Sequence, residues 1–78
     1  MIKVLYQIEN GNYNEVSKAF DRIVTEDFQQ VSYEETPATE TAVFSNGTVT
    51  LLIETAVEYD SFYDQDFHSL KITDITEA

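Results

Sequence analysis

Seventy-eight residues make one small domain (1–78), and the absence of cysteine removes disulfides and thiolate-bound metal as a way to staple it. An apolar content of 42%, with five Tyr and five Phe, supplies one core and argues against intrinsic disorder. Fifteen acids against four bases leave a net charge of −11, which repels nucleic acids and anionic membranes at long range.

The chain opens with MIKVLYQIEN, too short in its apolar run to read as a signal peptide. No window approaches the ~20 apolar residues of a membrane span. A cytoplasmic location is the expectation. Within residues 2–8, Ile2, Val4, Tyr6 and Ile8 alternate and predict a strand. Asn10, Gly11 and Asn12 then supply turn chemistry. Asn12 and Glu15 stand at the spacing of a capping box, and Val16, Ala19, Phe20, Ile23 and Val24 follow at helical spacing. A long helix from Asn12 to about Thr25 is expected, wide enough in its apolar stripe to cover a sheet.

Residues 28–35 predict a second strand with Val31 and Tyr33 inward, broken by Pro37. Asn46-Gly47 between VFS and TVT predicts a two-residue type I′ hairpin, which would oppose Phe44 to Val49 and Ala42 to Leu51. Along the return strand, Val49, Leu51, Ile53, Val57 and Tyr59 share one face, which turns Glu54, Glu58 and Asp60 outward. Tyr59, Phe62, Tyr63, Phe67 and Leu70 change to helical spacing, so a short second helix is expected near residues 61–69, before a last strand LKITDI. The resulting class is α+β, in the order β-α-β-β-β-α-β. It has a mainly antiparallel sheet of about five strands, one long helix on its face and a short second helix.

Catalytic chemistry finds little material. There is one histidine and no cysteine, and neither glycine lies in a phosphate-binding loop. Asp64 and His68 would meet only if their segment were helical, and no enzyme or cofactor is expected. Asp60, Asp64, Asp66 and His68 offer oxygen and nitrogen ligands. Counted from Asp60, however, the sixth and twelfth positions are Gln65 and Lys71, where a calcium loop requires Gly and Glu. Asn46-Gly47-Thr48 also spells a glycosylation acceptor, which hairpin chemistry explains better.

The charge is distributed unevenly. Between Ile23 and Leu70 stand ten acids and no base. Outward residues two apart on a strand lie about 6.7 Å apart, near the step between successive phosphates of a nucleic-acid strand. Glu58 and Asp60 have that spacing, and Glu54, Asp64, Asp66, Glu34, Glu35 and Glu40 could extend the patch, with Tyr63 as an aromatic anchor. In charge, size and single-domain build the chain is similar to the compact acidic inhibitors that bacteriophages encode against host DNA-binding enzymes. The resemblance carries over no residue. It implies a small non-enzymatic inhibitor that mimics phosphates in the Lys/Arg-rich groove of a nucleic-acid-binding protein, without binding nucleic acid or membrane itself. The alternative expectation is a small interaction or accessory domain, offering a sheet edge or the face with Leu52, whose acidity only keeps it soluble.

Overall fold

In the computed structural model, which describes residues 2–76, the capping box at Asn12 forms as its spacing suggests. The Asn12 side chain accepts from the Glu15 backbone N–H at 2.9 Å, and Glu15 Oε1 accepts the Asn12 N–H at 3.4 Å. These bonds satisfy donors that a helix start leaves without intrahelical partners. Helix α1 runs over Tyr13–Ile23. It ends at Val24, which has extended backbone angles and donates its N–H to the Phe20 carbonyl at 2.8 Å.

Five strands make up the remainder: β1 (Lys3–Gly11), β2 (Gln29–Glu35), β3 (Thr39–Ser45), β4 (Thr50–Asp60) and β5 (Gln65–Asp74). They form one antiparallel sheet in the order β1-β5-β4-β3-β2. The two edge strands are thus consecutive in sequence, and α1 followed by residues 24–28 carries the chain from one edge to the other. From β2 onward the chain is a simple meander. Strand accounts for 59% of the described residues and helix for 15%.

This architecture corrects the expected class. The molecule is mostly antiparallel sheet with one short helix, in the order β-α-β-β-β-β, and the second helix is absent from the described residues. Residues 61–64 form a loop, and Gln65 already pairs with Asp60 at the start of β5. Local chemistry explains the error. Asp60 Oδ1 accepts the backbone N–H groups of Phe62 and Tyr63, at 2.8 and 3.2 Å, which closes a turn. Asp64 then adopts φ 51°, a left-handed angle that a helix interior does not accommodate. The apparent helical spacing of the aromatic residues comes from a loop inserted between two strands.

Three smaller corrections concern strand register and which side chains share a face. The β3–β4 loop is Gly47-Thr48, with Asn46 donating its N–H to the Val49 carbonyl at 3.1 Å and Gly47 at φ 90°. Glycine at the first loop position suits a II′-type turn, where Asn46-Gly47 had suggested I′. Phe44 therefore opposes Leu51 and Ala42 opposes Ile53. The pairing slides by two residues, so the inward faces are unchanged. In β2 an irregularity between Gln30 and Ser32 leaves Val31 67% exposed, while Tyr33 lies half-exposed on the helix side. Another between Val4 and Tyr6 in β1 turns Val4 away from Tyr6 and Ile8.

The core lies between α1 and the central strands. Leu51, Leu70 and Ile72 are at most 1% exposed, joined by Ala19 from the helix and Ile53. Burying each such aliphatic side chain stabilises the fold by about 1.5–3 kcal/mol. Phe20 meets Phe44 edge to face at 5.7 Å, and Tyr13 meets His68 at 5.8 Å. These contacts hold the helix by both ends.

Candidate functional site

The molecule measures 45 × 23 × 22 Å, and its length comes from one feature. The partners of β4 and β5 end early: β3 pairs only as far as Thr39 with Ala56, and β1 as far as Gly11 with His68. Beyond Val57 and His68 the two strands continue alone, through Glu58–Phe67, Tyr59–Asp66 and Asp60–Gln65. A two-stranded ribbon therefore projects about 10 Å past the sheet before its loop. We call this end distal. The β2–β3 turn and the β1–α1 junction lie toward it, while the β3–β4 loop and the start of β1 are basal.

The ribbon carries Glu58, Asp60, Asp64 and Asp66 among Tyr59, Phe62, Tyr63 and Phe67. Phe62 is 85% exposed and Tyr63 64%. The rings brace one another edge to face, Phe62 on Tyr63 at 4.9 Å and Tyr63 on Phe67 at 6.1 Å. Two of the four acids are engaged locally. Asp60 holds the turn, and Asp64 accepts the hydroxyl proton of Tyr59. That bond holds the Tyr59 phenol above its ordinary pKa, with partial desolvation and the charge of Asp66 adding to the effect.

The other expected site residues divide between two faces. On the open face, which no helix among the described residues covers, one row runs Glu34, Thr41, Glu54, Lys71, Gln7 across β2, β3, β4, β5 and β1. Glu54 thus lies directly beside a cation. Glu58 is farther along the same face, with Ala56 and Ser69 between. Gln7, Glu9, Thr41, Glu54, Glu58 and Lys71 line a shallow, polar concavity of about 630 Å3, from which Glu34 stands apart. On the helix face, Glu35 lies across from Glu40, and Asp66 across from Tyr59. Tyr33 donates its hydroxyl proton to Glu35 at 3.0 Å. Partial burial first, then hydrogen bonding to Glu35 and Glu40 and their charge, push its phenol up to about 12.

The carboxylates therefore do not converge on one face. They gather toward one end. Glu58, Asp60, Asp64 and Asp66 occupy the distal ribbon, with Glu9 and Glu15 at the β1–α1 junction behind them, whereas Glu34 and Glu54 share the middle row with Lys71, and Glu35 and Glu40 lie one residue beyond it. Lys3, which pairs with Asp74, is basal, as is Arg22 in the last turn of α1, while Lys18 lies at the middle of the helix. The spaced pair Glu58 and Asp60 does not present two equivalent anions, because Asp60 folds back onto its own turn. Sequence reasoning missed Phe62 and Tyr59. The signal that finds Phe62 is an Asp two residues ahead of an aromatic, the spacing of a side chain that caps a turn.

Among the described residues, no group of three or more His, Asp or Glu stands where it could hold a metal ion. No helix among them is long and apolar enough to cross a membrane. The chain matches no protein-family model, no curated protein and no solved structure.

Proposed function

We propose that this is a small, non-catalytic binding protein that inserts its acidic distal end into the Lys/Arg-lined site of a nucleic-acid-binding protein, where it competes with the phosphate backbone. The observation that carries the reading is the ribbon: four carboxylates and two highly exposed, mutually braced rings on a projection with no basic residue. Charge supplies the long-range attraction and the on-rate. Phe62 and Tyr63 supply rigid apolar anchors of the kind that dominate binding energy once desolvated. Acidity needed only for solubility calls for neither the projection nor the exposed rings.

The test is a capture experiment from bacterial lysate at low salt, eluted with a salt gradient, with and without competing duplex DNA. The expected result is retention of a nucleic-acid-binding protein that DNA displaces. Charge reversal at Glu58→Lys with Asp66→Lys should abolish retention while circular dichroism stays unchanged. These positions are preferred to Asp60, whose loss would open the turn. Retention that ignores salt, DNA and both reversals would instead support an accessory domain with incidental acidity.

A further inference from the structure

A five-stranded sheet spans about 19 Å between its edge-strand axes, whereas a helix is about 10 Å wide with its side chains. The described residues supply one helix for this face. α1 lies over β5 and β1, and none of them forms a helix above the half of the face made by β3 and β2. Two adjoining hollows occupy the vacant half, of about 300 and 330 Å3, sharing Tyr13, Val16, Glu40 and Thr55. Together they form a trough alongside α1. Its floor reaches core residues Ile53 and Leu70, and Tyr33 forms the opposite wall. The Phe20–Phe44 contact lies at its basal end, and Pro37 at its distal end.

The trough is apolar inside and anionic on one rim. Glu35 and Glu40 face each other across β2 and β3 on this side, and the lining holds no Lys or Arg. Two strand spacings beyond β5 provide about 10 Å, the axis-to-axis distance at which helices pack. We propose that the trough receives an amphipathic helix of a partner protein, lying beside α1 with an apolar stripe inward and Lys or Arg toward Glu35 and Glu40. Such a helix would complete the second layer that this chain leaves half built. The inference does not rest on the distal end binding a nucleic-acid-binding protein.

The probes are three synthetic peptides of about 12 residues, long enough to run about 18 Å as a helix. One has a Leu stripe at helical spacing flanked by Lys, and one the same stripe flanked by Glu. The third has the Lys composition with its Leu positions scrambled. Affinity is read by fluorescence anisotropy, and location by amide shifts in nuclear magnetic resonance spectra. The Lys-flanked stripe should bind at least about tenfold more tightly than either control, shifting Val16, Tyr33, Ala42 and Thr55. Tyr33→Ala and Glu40→Lys, both at exposed positions, should each weaken it, whereas Glu58→Lys with Asp66→Lys should leave these shifts in place. Equal binding by the scrambled peptide, shifts confined to residues 58–67, or absence of binding would overturn the proposal. So would a concentration-dependent dimer, seen by sedimentation, that Tyr33→Ala dissolves, because the occupant would then be a second copy.

Discussion

Tyr33 shows how a single group reports the field around it. An unperturbed tyrosine ionises near pH 10, and this one is pushed up to about 12 by partial burial and by Glu35 and Glu40. The sign of the linkage follows. Between those two values the folded chain retains a proton that the unfolded chain has lost. The contribution to stability is complete below about pH 10 and disappears as pH rises through the folded value. Ultraviolet titration of tyrosinate should therefore show late ionisation of Tyr33, and also of Tyr59, whose phenol is raised chiefly by its bond to Asp64. Glu35→Gln with Glu40→Gln should bring the first back toward the ordinary range, and Asp64→Asn the second. All five tyrosines ionising in one step would show that these carboxylates do not sit where the structure places them.

At the scale of elements, the β4–β5 ribbon is separable from the domain that bears it. Residues 59–66 pair only with one another, and the buried core lies in the sheet behind them. Replacing 59–66 with Asn-Gly joins Glu58 directly to Phe67, two residues already in register, through a favourable turn. The shortened protein should melt within a few degrees of the parent and lose partner capture. A collapse of the melting transition would place part of the folding energy in the ribbon. This element also marks the limit of what the sequence disclosed. Helix α1 was readable because its signals are local: the capping box at Asn12 and the stripe through Val16, Ala19, Phe20 and Ile23 lie within a few turns. The inward faces of β3 and β4 were readable because alternation and the Asn46-Gly47-Thr48 region agreed, despite a slip in the loop. The continuation of β4 into β5 was not, because Tyr59, Phe62 and Phe67 fit a helical period by accident. The decisive signals were a side-chain cap at Asp60 and a left-handed Asp64. The sheet order, and with it the vacant half of the helix face, depends on long-range pairing that no local pattern records.

For the whole molecule the governing fact is a charge distribution polarised along its long axis. Glu58, Asp60, Asp64 and Asp66 stand on the distal ribbon with Lys71 as the nearest base in the sheet, while Lys3 and Arg22 stand among the acids of the other end. At about 0.15 M salt the screening length is near 8 Å, so repulsion within the distal half is only partly screened. Folding concentrates that charge and is opposed by it. Added salt should therefore stabilise the fold and weaken capture of a basic partner, two responses of opposite sign from one cause. Relief of about 1 kcal/mol would raise the melting temperature by about 4–8 °C for a domain of this size. Neutralising Glu58→Gln with Asp66→Asn should give much of that rise at low salt and flatten the salt dependence. Asp21→Asn with Glu26→Gln, near Lys18 and Arg22, should do little. Melting curves in a NaCl series check both variants. Equal gains from the two ends would mean that net charge alone sets the stability, and would remove the basis for assigning the partner site to the distal end.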